Sequence, residues 1–221
     1  MRVAPLTISK SVPRFQQPGP RTVIASDQER ETLLANASPR MYIFILLCAD
    51  LGLRHRTATK ITPRMYDPRN RTLTFTTKGN VHQTLPVTEE IASILRALPL
   101  DIPPDLPIIN YFKSPKGGHT GKNARLSRSW TKLKEKCGVR AELRVHDLRR
   151  TSAEEIWDAT KDLRTVQAHL GHRSIATTAR YLANRVGLEE KFAFPALGSV
   201  PQSLVIAGGV ENLVSRRLAV T

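Results

Sequence analysis

The chain has 221 residues, room for one substantial domain with tails or two small domains at most. Hydrophobic residues make up 40% of it, enough for a packed core, which excludes a disordered chain. Lys and Arg number 34 against 19 Asp and Glu, a formal charge of +15, so a polyanion, with nucleic acid the commonest, is the expected partner.

Residues 1–25 carry Pro5, Pro13, Pro18 and Pro20 without periodicity and read as an arm or linker stub, with no apolar stretch of the signal-peptide kind. Ser26 with Glu29 three residues on predicts a capping box and a helix to about Ala37. Pro39 opens the next helix, an apolar run through Tyr42, Ile43, Leu46 and Leu47 that ends near Gly52. This run is too short to span a bilayer, so a buried core helix and a soluble, cytoplasmic protein are expected. Cys48 and Cys137 have no metal-ligand neighbours and read as reduced thiols.

Thr72 to Thr77 and Val81 to Val87, joined by Lys78-Gly79-Asn80, predict a β-hairpin. Thr88-Glu89-Glu90 caps a helix to Leu98, and residues 99–107 form a loop. Further helices are expected at about 122–137, 146–159, 162–170 and 174–185. The fold class is therefore mainly α with a small antiparallel β-sheet. Between Lys113 and Arg150 twelve basic residues face only Glu135, Glu142 and Asp147, a surface suited to tracking a phosphate backbone. Aromatic residues are few, which disfavours stacking on single strands.

Cleaving a phosphodiester without a metal requires guanidinium groups for the non-bridging oxygens, an in-line nucleophile and a proton for the leaving oxygen. Val145-His146-Asp147-Leu148-Arg149-Arg150 puts His146 and Arg149 on one face at a helix start. His169-Leu170-Gly171-His172 follows, and Tyr181 stands nine residues beyond His172. Taken singly these have plainer readings: Arg54 answering a helix dipole, Lys78 solvated in a turn, His172 a helix cap, Tyr181 a core residue. His169 with His172 lacks further ligands at metal spacing.

Together, His-x-Leu-Arg, Leu-Gly-His and the tyrosine nine residues on resemble the tyrosine recombinases of the phage-integrase family. Leu51-Gly52-Leu53-Arg54 resembles that family's first arginine motif, and Lys78 falls at the hairpin tip where the family keeps a lysine. The resemblance runs from about residue 26 to 187 and implies the catalytic-domain fold of DNA breaking-rejoining enzymes, with residues 188–221 a tail expected to pack on a neighbouring subunit. It implies that Arg54 and Arg149 hold the scissile phosphate, Lys78 protonates the leaving 5′ oxygen, and His146 handles the tyrosine proton or donates to the phosphate. His172 would donate to a non-bridging oxygen, and Tyr181 would attack to form a 3′-phosphotyrosine. No metal or other cofactor is implied. The implied partners are double-stranded DNA, a homo-tetramer on that DNA, and an accessory or clamp-domain partner, since the family's upstream helical domain does not fit in 25 residues. Thr57 occupies a position where the family usually has an acid, and Asp50, four residues before Arg54, is a candidate substitute on the same helix. A type IB topoisomerase-like enzyme and a non-catalytic DNA-binding relic are the alternatives.

Overall fold

The computed structural model describes residues 21–77, 80–111 and 124–182. The first helix, α1 (Asp27–Asn36), starts where Ser26 and Glu29 bond each other's backbone N–H groups, at 3.2 and 2.9 Å. Ser38 caps α2 (Pro39–Ala49), which has proline in its first turn. From Met41 to Ala49 every residue of α2 except Tyr42 is buried. A helix apolar on nearly all sides has to be central, and α2 packs against the helices that follow.

Gly52, at φ +58°, ends this run in a left-handed turn. A short α3 (His55–Ala58) and a 3-10 turn (Pro63–Met65) then lead into a three-stranded antiparallel sheet. Its strands are β1 (Tyr66–Asp67), β2 (Thr72–Thr77) and β3 (Val81–Pro86), in that spatial order. The β2–β3 register runs from Thr72 opposite Pro86 to Thr77 opposite Val81. Leu73, Phe75 and Leu85 face the core while the Thr74 and Thr84 hydroxyls meet at 2.9 Å on the other side.

Five more helices follow the sheet among the described residues: α4 (Glu89–Arg96), capped by Thr88, α5 (Ile108–Tyr111), α6 (Ala124–Cys137), α7 (Val145–Thr160) and α8 (Leu163–Leu170). A last one, α9 (Ile175–Tyr181), carries Tyr181 at its end. The main core surrounds α2 and takes in Leu73, Ile91, Ile108, Trp130 and Leu148. A smaller apolar cluster, with Ala153, Ile156, Leu163, Val166, Leu170 and Leu182, joins α7, α8 and α9. Mainly helical with a small antiparallel sheet is the architecture expected above. The strand β1 and the short helices α3 and α5 were not anticipated, since two to four residues carry no readable periodicity.

One reading changes. Asp50 and Arg54 are not on one helix: Asp50 caps the end of α2, Gly52 reverses the chain, and Arg54 caps the start of α3. The buried Asp50 carboxylate faces Arg30 of α1 at 3.5 Å, and Arg30 reaches Glu155 of α7 at 3.2 Å. In addition, residues 21–25 pack on the body. The Ala25 N–H donates to Thr151 Oγ1 at 2.9 Å, and Arg21 forms a two-point ion pair with Asp147, 2.8 and 2.7 Å. Both cysteines are free, and burial pushes the Cys48 thiol up to about 12. Among the described residues no helix is long and apolar enough to cross a membrane. Residues 112–123, with the start of the basic run, and 183–221, with the expected tail, lie outside the described residues.

The turn at Gly52 abuts α7 and α8. A Cβ there would come within 3.0 Å of Leu170 Cδ2, 3.1 Å of Ser152 Oγ and 3.3 Å of His169 Nε2. Gly52→Ala should therefore destabilise the chain by about 1–3 kcal/mol, the range for strain at a special backbone conformation, as read from urea unfolding midpoints. His169 itself is buried, and desolvation followed by the Arg149 charge lowers it to about 4. Its folded value lies below the unfolded value near 6.5, so between those limits only the unfolded chain gains this proton. Stability should fall as pH drops from about 6.5 to 4, with His169 contributing on the order of 2–3 kcal/mol. His169→Gln should flatten that slope in urea titrations taken across this pH range.

Candidate active site

Three helix ends bring the site together. α7 contributes His146 and Arg149 from its first turns, one helical turn apart on the same face. The α2–α3 turn contributes Arg54 and the Gly52 carbonyl. The α8–α9 turn contributes His172, and α9 contributes Tyr181. Gly171, at φ +60°, closes α8 in the manner of a Schellman cap, its N–H bonding the Ala168 carbonyl and that of His172 bonding Gln167. That reversal turns His172 back toward α7.

Arg149 is 3% exposed. One terminal nitrogen, Nη1, donates to the Gly52 carbonyl; the other, Nη2, donates to the Leu170 carbonyl at 2.6 Å and lies 3.1 Å from His172 Nε2. Its Nε is buried and has no hydrogen-bond partner. Burial, then the charge of Arg54, lowers the guanidinium to about 10, opposed by the nearby Tyr181 hydroxyl. It therefore stays charged at neutral pH. Arg54 is half-buried, and its charge is felt by Arg149, His172 and His146, which sets it at the same centre.

The Tyr181 hydroxyl lies 2.6 Å from His146 Nε2. The two rings meet edge-on at 5.8 Å, and the His172 ring lies 5.1 Å from Tyr181 on an inclined plane. Arg150 Cζ lies 5.5 Å from the centre of the Tyr181 ring, and its Nη2 donates to the Arg180 carbonyl at 3.1 Å. Desolvation, then the Arg149 charge, lowers His146 and takes His172 down to about 4, so both rings are neutral near pH 7. A cavity of about 150 Å³ opens beside Tyr181, lined by Arg21, His146, Asp147, Arg150, Arg180 and Tyr181.

Of the six residues singled out from sequence, Arg54, His146, Arg149, His172 and Tyr181 converge here; Lys78, between β2 and β3, lies outside the described residues. Sequence reasoning missed Arg150, although it adjoins Arg149, and Thr178, whose buried hydroxyl lies 3.0 Å from His172 Nδ1. It also missed Gln83 of β3, which donates to the Ala168 and His169 carbonyls at 3.2 and 2.5 Å and so ties the hairpin to the end of α8. No group of three or more His, Cys, Asp or Glu suited to a metal occurs among the described residues.

Comparison with known proteins gives the same reading. The chain is 33% identical over 134 residues to the tyrosine recombinase XerC of Agrobacterium fabrum (strain C58), covering 59% of this chain and 41% of that relative. It thus spans about two fifths of that relative's length. The integrase from mycobacterium phage Brujita has a similar structure, TM-score 0.59 at 26% identity, over 93% of this chain and 66% of that one. The XerH site-specific recombinase bound to palindromic difH substrate, in a post-cleavage complex, gives TM-score 0.57 at 20% identity, over 74% and 50% of the two chains, a likeness of fold. The model of the phage integrase family matches residues 24–187, most of the chain and all of the convergent helix ends, and the chain belongs to that family.

Proposed function

We propose that this chain is the catalytic part of a site-specific recombinase that cuts and rejoins double-stranded DNA through Tyr181. The observation that carries this reading is the 2.6 Å contact of the Tyr181 hydroxyl with a neutral His146, beside the buried Arg149 guanidinium. A phenol held against a neutral imidazole can pass its proton to Nε2 as the oxygen attacks phosphorus. The pentacoordinate transition state gathers charge on its non-bridging oxygens, and Arg149 with Arg54 supplies fixed positive charge there. The uncommitted Arg149 Nε supports this, as a donor left over for an anion.

In this reading the Tyr181 oxygen forms the new bond to phosphorus and the bond to the 5′ oxygen breaks. Lys78 gives that oxygen its proton, leaving a 3′-phosphotyrosine and a free 5′ hydroxyl. Attack by a 5′ hydroxyl of a second duplex reverses the steps and joins the strands. Residues 26–187 form the catalytic domain, 1–25 an arm whose end is anchored by Arg21, and 188–221 a tail for a neighbouring subunit. The working form is a tetramer on DNA in the cytoplasm, aided by a clamp domain in the same or a partner chain, and the +15 charge makes binding strongly salt-dependent.

Tyr181→Phe should abolish the 3′ protein–DNA adduct on nicked duplexes that bear a site selected from random sequence, while leaving binding within a few-fold. Gel analysis of the adduct and peptide mapping check this, and an adduct that persists or maps elsewhere rejects Tyr181. Lys78→Ala should slow cleavage by about a hundred- to ten-thousand-fold, the usual contribution of a general acid. A 5′-bridging sulfur leaves as a thiolate without a proton, so that substrate should restore the Lys78 variant to near the parent rate. Arg149→Ala should stay impaired on the sulfur substrate, since the phosphate charge remains unmatched.

A further inference from the structure

His172 has a partner on each ring nitrogen. Nε2 lies 3.1 Å from Arg149 Nη2, and Nδ1 lies 3.0 Å from Thr178 Oγ1, both pairs buried. An arginine nitrogen can only donate, so Nε2 must accept and carry no proton. The neutral ring then holds its proton on Nδ1, which donates to Thr178. That is the opposite tautomer from the one needed to donate to a phosphate oxygen. A lone pair on Nε2 facing an anionic oxygen would repel it.

Thr178 resolves the conflict. Its side chain is wholly buried on α9, three residues before Tyr181, and a hydroxyl can both donate and accept. With the proton on Nδ1 the hydroxyl accepts; with the proton on Nε2 it turns its own hydrogen toward Nδ1. The ring keeps its place in both states. When a phosphate draws the Arg149 donor away, one proton leaves Nδ1 for water and one joins Nε2, with no change in ring charge. We propose that Thr178 is a positioning residue that holds the His172 ring through both tautomers, letting Nε2 accept from Arg149 in the free protein and donate to phosphate on DNA. The DNA-bound half of this rests on the recombinase reading above; the free-protein half does not.

The test uses the full chain labelled with 15N. Long-range proton–nitrogen correlation of the imidazoles reads the tautomer, and loss of a signal set in His172→Gln assigns it. At neutral pH the free parent and Thr178→Ser should both show a neutral His172 protonated at Nδ1 with sharp signals, whereas Thr178→Val, of the same shape without the hydroxyl, should broaden the His172 signals as the ring loses its fixed position. On the nicked duplex, Thr178→Val should cleave about ten- to a hundredfold slower, by analogy with the cost of removing a partner that orients a metal-bound histidine, and Thr178→Ser should cleave near the parent rate. A free parent ring protonated at Nε2, or a Thr178→Val chain cleaving at the parent rate, overturns the proposal. If Thr178→Val does not fold, the parent tautomer and the serine variant still decide it. A parent that forms no Tyr181 adduct removes the recombinase reading, while the His172 tautomer and its signal widths in the Thr178 variants continue to decide the free-protein half.

Discussion

The burial of the Arg149 guanidinium is the constraint on which the rest of the site depends. Taking an unpaired charge out of water costs several kcal/mol, and the hydrogen bonds of its terminal nitrogens run to two carbonyls and His172 with no carboxylate among them. The chain answers instead with two backbone carbonyls at helix ends, Gly52 just past α2 and Leu170 at the close of α8. Helix C-termini carry partial negative charge, so these acceptors suit a cation without neutralising it. A carboxylate in their place would quench that positive field. The carbonyls hold the arginine in position and leave its net charge in place.

That arrangement requires two chain reversals. Gly52 and Gly171 both take left-handed backbone conformations, at φ +58° and +60°, and each turns its neighbours toward α7. The Gly52 turn is crowded by Leu170, Ser152 and His169, so the three segments around Arg149 are packed against one another as well as bonded to it. His169 belongs to this packing. Its burial beside Arg149 keeps it neutral, and it wedges the two turns together while His172, three residues on, faces the site.

Around this centre cations and rings close in on the Tyr181 side chain. His146 meets the hydroxyl, the His172 ring lies along one flank, and Arg150 lies near the aromatic ring. The N-terminus of α7 is itself braced, because Asp147 accepts from the Arg144 N–H at 2.8 Å and from Arg21. The ion pair lets an acidic residue sit inside a basic site while its charge is spent on the chain's own entry segment.

The sequence by itself determined the longer elements and picked out the candidate site residues. Ser26 with Glu29, Ser38 with Pro39, Thr88, Asp162 and Gly171 mark helix ends through bonds spanning two to five residues, and the Thr-rich run of β2 marks the hairpin. Such local chemistry can be read from a single chain. Motif spacing then put His146, Arg149, His172 and Tyr181 at those ends. Only the tertiary structure decided how they meet. Arg149 reaches Gly52 across 97 positions, Gln83 reaches His169 across 86, and Tyr181 reaches His146 across 35. Asp50 shows the limit most clearly: sequence spacing paired it with Arg54, but the turn at Gly52 separates them and packing of α1 against α2 gives it Arg30. The same limit hid Thr178, an unremarkable helix residue until α8 and α9 fold together, because a buried partner is chosen by which surfaces close over it and sequence distance carries no record of that.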